Sequence, residues 1–202
     1  DDSRILDEIL ARAAVPADCG LSFRKSSASI GTAAGGDLIL ESSDLILSDA
    51  AADAAARAFP EGVGVSAYVL DTIRNERTGK ECPYALAAGV GRLPGGPVGA
   101  GKVVLNAWEA DDLDAKPGDT IAFTYFVRDP GGAPARRTAE FAFAGTVGMA
   151  GIGADRTLVP EYRMITRAES VADWIPPRDF DFQPARIRSI DEDYWDRHRA
   201  AP

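Results

Sequence analysis

The sequence predicts an α+β domain: a β-rich sheet core, mixed or antiparallel, with short helices and a long proline-containing wrap near the C-terminus. Three observations predict it. Apolar, β-branched runs bounded by Gly, Pro and Asp recur from Leu21 to Val147, the pattern of strands separated by turns. Helix caps and helical spacing appear only over short stretches. Beyond Gly148 the periodicity fades, while prolines and isolated aromatics continue. With 202 residues the chain can hold one large or two small domains with a proper core. It reads as one domain, 1–202, with candidate subdomains 1–91 and 102–202 on either side of a Gly/Pro loop.

Ser3 caps a helix predicted through Ala14, with Ile5, Leu6, Ile9 and Leu10 as its apolar face and Pro16 ending it. Leu21-Ser22-Phe23 starts a strand. Ser26 to Gly36 is small and polar, a loop or hairpin connection. Asp37 to Ser43 alternates as a strand, Leu38 and Leu40 sharing a face. Ser48 caps an alanine-rich helix ending at Phe59-Pro60, whose predicted inward stripe is Ala51, Ala54, Ala55 and Phe59. Val63 to Ile73 and Glu81 to Val90 form a strand pair joined by Asn75 to Gly79, and Gly91 to Gly101 is the clearest internal punctuation.

Lys102 to Val127 is the stretch around which the rest is arranged. Val103-Val104-Leu105 is a short buried strand, and Asn106 caps a helix of two turns, answered by Glu109 three residues on as a capping-box acid. Trp108 and Leu113 are predicted to point inward; Glu109, Asp111 and Asp112 crowd the first turns, where the helix dipole favours anions. Lys116-Pro117-Gly118-Asp119 forces a turn, and Thr120 to Val127 leaves it as a strand. Arg136 to Val147 is the next strand, with Ala139, Phe141 and Phe143 on one face. Met149 to Pro184 wraps the core through Trp174, Phe180 and Phe182, and Ser189 or Asp191 starts a last short helix.

Composition is that of an ordinary globular protein, 46% apolar and 26% charged. A net charge of −9 argues against nucleic acid, which demands a basic face, and against docking on anionic lipid by charge alone. No uncharged apolar run is long enough to span a bilayer; the nearest, Phe141 to Ala154, is rich in Gly and Ala. The start Asp-Asp-Ser, without Met or a signal peptide, suggests a processed or excised chain.

Several motifs invite a chemical role and fail on context. Gly96 to Lys102 matches Gly-x-x-x-x-Gly-Lys, but Val103 replaces the magnesium-binding hydroxyl and the next element is a strand, so no helix N-terminus meets phosphate. No ATP binding is expected. Gly62-x-Gly64-x-x-Ala67 lies at a strand start, not between strand and helix. Asp112-x-Asp114-x-Lys116-x-Gly118 puts a cation among calcium ligands and Phe123 where the bidentate Glu belongs. Asp191, Glu192, Asp193 and Asp196 beside Trp195 could suggest glycosidase carboxylates; an acid-rich helix start anchored by Tyr194 and Trp195 is the more economical account. His198, the single histidine, lies near the end of the chain, and Ser66 lacks the second Gly of a nucleophile elbow. These residues indicate no catalytic, cofactor or metal site.

The central unit and the ordered tail carry a family resemblance. The tail runs Asp155-Arg156-Thr157-Leu158-Val159-Pro160-Glu161-Tyr162, Ala168-Glu169-Ser170, Ala172-Asp173-Trp174, Pro176-Pro177 and Asp191-Glu192-Asp193-Tyr194-Trp195-Asp196. From about Leu21 onward the chain resembles the extracytoplasmic, MacB-like periplasmic core domains of FtsX-like ABC-transporter permeases. It departs at Ile175, where that subfamily has an acid, and at Arg178-Asp179-Phe180, which interrupt an apolar-proline stretch. The resemblance implies a non-catalytic domain on the periplasmic side of a bacterial membrane. It would transmit conformational change from a separate ABC ATPase, for export or for handling of a lipoprotein or other substrate. A second permease subunit would be a partner, membrane attachment would run through flanking helices outside this chain, and the chain would continue past Pro202 into another strand. Trp174, Pro176 and Pro177 become the expected partner contact, and an oxidising compartment would permit a Cys19–Cys82 disulfide. The alternative is a free-standing periplasmic or secreted ligand-binding module using the Trp174 to Phe182 loop.

Overall fold

The computed structural model describes residues 5, 13–26, 37–44, 46–93, 98–129, 131–162, 164–176 and 180–202. The predicted Ser3–Ala14 helix and the Ser26–Gly36 connection fall almost wholly outside these residues. The chain forms two compact units, Asp1–Ser26 with Leu38–Gly62, and Ser27–Asp37 with Val63–Pro202.

In the first unit a 3-10 turn, Pro16–Cys19, leads into β1 (Leu21–Lys25), which pairs antiparallel with β2 (Leu38–Ser42) from Leu21↔Ser42 to Lys25↔Leu38. Gly20 ends the turn at φ 68°, a conformation that disfavours other residues, and a Cβ there would stand 2.6 Å from Ser43 Oγ, so the serine would have to turn away. Helix α1 (Asp49–Ala58) is capped by Ser48, whose hydroxyl accepts the Ala51 N–H at 3.3 Å. The predicted inward stripe does not form. Ala51 and Ala55 are half-buried, whereas Ala54 and Phe59 are exposed. Alanine methyls carry too little apolar area to hold a helix face down.

The second unit is built on a five-stranded mixed sheet of order β4-β3-β6-β7-β5. Its strands are β3 (Val65–Asn75), β4 (Glu81–Val90), β5 (Lys102–Asn106), β6 (Thr120–Arg128) and β7 (Pro134–Val147). All pairings are antiparallel except β5 with β7. Strands from both sides of the Gly91–Gly101 loop join one sheet, so the compact units divide near Gly62 rather than at that loop.

Helix α2 (Ala107–Asp112) bridges β5 and β6, and Asn106 caps it by accepting the Glu109 N–H at 2.8 Å. Behind it the fully buried Asn75 ties three segments together. Its Nδ2 donates to the Leu113 carbonyl at 3.2 Å and to Asp119 at 3.0 Å, while its Oδ1 accepts the Arg77 N–H. Asp119 also accepts from Arg77 Nε and the Lys116 N–H, and the Arg77 bond chiefly holds its carboxyl well below the usual carboxylate range. The Pro-Gly-Asp turn is thus braced by its own acid. Leu70, Ile73, Leu105, Ala110, Leu113, Ile121 and Phe143 form the core between sheet and helix. Trp108 is not among them. It is half-buried and lies against Tyr194, ring centroids 4.6 Å apart, because so short a helix turns Glu109, Ala110 and Leu113 inward instead.

Beyond Val147 the chain wraps through 3-10 turns at Gly151–Ala154, Arg156–Leu158, Val171–Asp173 and Pro184–Arg186 to helix α3 (Ser189–His198). Gly153 passes so close to the Gly148 carbonyl that a Cβ would collide with it. Tyr84 and Leu86 of β4, Val159, Ile165, Val171, Trp174, Trp195 and Ala200 make a second core beneath the wrap. Phe180 and Phe182, two of the aromatics expected to hold the wrap to the core, pack on Tyr84 at 5.9 and 4.7 Å. The acid-rich start of α3 is architectural: Glu192 accepts the Val171 and Ala172 N–H groups at 2.8 and 3.0 Å, pinning the wrap to the helix. Among the described residues no helix is long and apolar enough to cross a membrane.

Candidate functional site

Strands β4 and β5 are the two ends of the sheet order, and a cavity of about 390 Å3 lies against both. Cys82 and Glu109 reach it from β4 and α2, and Trp174, Asp191, Tyr194 and Trp195 from the wrap and α3. Two buried polar atoms at this cavity have no hydrogen-bond partner, Glu109 Oε1 and Trp174 Nε1. Unpaired buried polar groups are costly, so two around one cavity mark it as the place where a polar ligand would gain most.

An acidic cluster forms one wall. The side chain of Glu109 is buried, its residue only 6% exposed. Its carboxyl is pushed up to about 8, first by burial and then by the negative charge of Asp112. Arg188 closes the cluster, its guanidinium donating to Asp112 at 2.7 and 3.3 Å and to Asp191 at 2.5 to 3.1 Å. Burial pulls Arg188 down, but the bonds to Asp191 and Asp112 outweigh it and leave the guanidinium more basic than usual. Asp191 also accepts the Arg188 N–H at 2.8 Å, starting α3. The Cys82 thiol donates to Asp191 Oδ1 at 3.9 Å and is pushed well above its ordinary value by burial, then by Glu109. A thiol held protonated is a poor nucleophile. Tyr194, whose hydroxyl oxygen accepts from Asn106 Nδ2 at 3.1 Å, is likewise raised, mainly by burial.

Sequence reasoning reads Glu109 as a capping-box acid and misses it as an interior group. The N3 position is indeed occupied by an acid, but nothing within the helix shows that β4 and α3 cover it. Cys82 followed by Pro83 was legible as a strand residue, and it is buried in β4. Cys19 is exposed, and both cysteines are free thiols rather than a bridge.

The residues expected to meet a partner are placed differently from one another. Trp174 is 3% exposed and stacks edge-on to Trp195 at 5.0 Å, so its ring belongs to the core. Pro176 is half-buried, and Pro177 lies outside the described residues. Exposed side chains on this stretch are Ala172, Asp173 and Ile175. Lys102 opens β5, so the Gly-x-x-x-x-Gly-Lys match runs into a strand. His198 sits on α3 with its ring 5.2 Å from that of Tyr194. No family model matches this chain, and no curated protein sequence matches it.

Proposed function

We propose that this chain is the extracytoplasmic domain of an ABC-transporter permease, a non-catalytic body that passes conformational change from a separate ATPase to the cell-envelope side. One observation carries the reading. The tail residues on which the resemblance rests are built into the core: Val159, Trp174 and Trp195 are buried with Tyr84 and Leu86, Asp155 caps its turn through the Thr157 N–H, and Glu192 pins the wrap to α3. Tail residues spent on packing suit a body that transmits force and has no need of a reactive group. Of the exposed side chains on this stretch, Ile175, at 60%, is the large apolar one and takes the place of the buried Trp174 as the contact for a moving partner.

The test uses the full parent protein. Its reading frame should encode membrane-spanning helices flanking this segment. In a Cys19→Ser background, Ile175→Cys should form a disulfide with a cysteine on the facing permease subunit to an extent that changes with ATP. A frame without such helices overturns the permease reading and favours the free-standing binding module, with the cavity as its ligand site. Crosslinking that is the same with and without ATP, in a transporter still active when tethered, removes this contact from the mechanism.

A further inference from the structure

We propose that Cys82, Glu109 and Asp112 form a site for a divalent transition-metal ion of the zinc type, reached from the cavity between β4 and β5. The site goes beyond the permease reading and does not depend on it.

Cys82 comes from β4, while Glu109 and Asp112 stand three residues apart on α2 and therefore share a helix face. One ligand atom from each lies within 4.8 Å of the others. In a tetrahedral site, bonds of about 2.0–2.3 Å place ligand atoms roughly 3.5 Å apart, so closure needs shifts of about an ångström. Glu109 supplies the independent sign of a ligand. Its Oε1 is buried without a partner, in a side chain held among these same groups.

The donor set selects the ion. A sulfur with two carboxylates suits borderline-soft Zn2+, whereas Mg2+ and Ca2+ take all-oxygen shells. The surroundings complete the site in the usual way, since metal-bound carboxylates are themselves held by hydrogen bonds. Here Arg188 grips Asp112 through Nη1 and Nη2 and holds Asp191 on its other side. Asp191 Oδ1 lies 3.9 Å from Cys82 Sγ, near enough to supply or position a fourth ligand. Water from the cavity, which both Cys82 and Glu109 line, is the other source of that ligand. Charge favours a cation once Glu109 gives up its proton, since three carboxylates, Glu109, Asp112 and Asp191, then face one guanidinium, Arg188. Binding would release a proton from the thiol, and from Glu109 where it is protonated, because the ligating forms are the anions.

The experiment is titration of the Cys19→Ser chain with Co2+ as a spectroscopic probe, followed by competition with Zn2+. One equivalent of Co2+ should bind with a thiolate-to-cobalt charge-transfer band, and Zn2+ should abolish the band. Cys82→Ser should lose the band. Glu109→Gln, nearly isosteric, should weaken binding by about tenfold or more, at least the loss seen when a supporting group is removed. No thiolate band at millimolar Co2+, a band that survives Cys82→Ser, or unchanged affinity in a Glu109→Gln protein with native circular dichroism would each overturn the site. If Cys82→Ser does not fold, Glu109→Gln decides alone.

Discussion

Arg186 Nη1 stands 2.8 Å from Asp71 Oδ1, on a carboxylate in a residue only 1% exposed. The pair fastens the end of the wrap to the middle of the sheet, across 115 residues of chain. Local backbone geometry makes the meeting possible. The β3–β6 register shifts between Leu70 and Thr72, so Asp71 sits at a bulge. Across the other ladder Tyr84 adopts φ 56°, a conformation rare for a bulky side chain. The Tyr84 hydroxyl accepts the Gln183 N–H at 2.7 Å, and its ring lies 4.9 Å beneath the Arg186 guanidinium. Arg186 also donates to Thr72 Oγ1 at 2.6 Å, and Arg136 from β7 takes the second Asp71 oxygen.

Arg186→Met should therefore loosen the wrap. Breaking a buried pair by removing one partner costs about 3–5 kcal/mol, and the low end is expected because Arg136 stays on Asp71. Arg136→Met is the control: its side chain is 57% exposed, and the loss should be about 1 kcal/mol or less. Urea denaturation of both variants gives the comparison. Equal losses would show that the wrap is not held at this point.

Asn75 offers a second test of the same kind. Asn75→Ala leaves the Leu113 carbonyl, the Arg77 N–H and one bond of Asp119 without their partner inside a packed turn. The expected loss is about 2–3 kcal/mol, the range for stranded buried polar groups. A loss of a few tenths, measured by the same denaturation, would mean water replaces the amide without cost.

The strand ladder was largely legible in the sequence because its signals are local. Glu81–Val90 is predicted and found with the same bounds, since a turn precedes it and a Gly/Pro loop follows. Asn106 was legible as a cap for the same reason. The cluster at Glu109 was not, because Arg188 reaches Asp112 from 76 residues away and no local pattern marks that meeting. Trp108 misled for a related reason: its size suggests the core, but a six-residue helix has room for few inward positions.

That correction is measurable. Leu113 is 0% exposed and lies in the core between α2 and the sheet, so Leu113→Ala should cost about 2–5 kcal/mol. Trp108→Ala removes a half-buried ring held mainly against Tyr194 and should cost only about 1–2 kcal/mol, within the ordinary range for single substitutions. The reverse order in thermal or urea unfolding would return Trp108 to the core.

Glu109 gives the protein a pH dependence whose sign follows from its surroundings. Burial, Asp112 and Asp191 raise its carboxyl from 4.5 to about 8 in the folded chain, against the opposing pull of the neighbouring Cys82 thiol and Arg188. The folded state therefore keeps a proton that the unfolded state has lost throughout that window. Its contribution to stability is full below about pH 4.5 and declines as pH rises toward about 8, with a limiting slope of about 1.4 kcal/mol per pH unit for one proton. Glu109→Gln is neutral at every pH and removes this decline. In chelator-treated samples, urea denaturation at intervals from about pH 5 to about pH 8 should show the variant gaining steadily on the native chain as pH rises. Curves that stay parallel across the window would mean that Glu109 is ionised in the folded protein, and that Arg188 and the Cys82 thiol outweigh its burial.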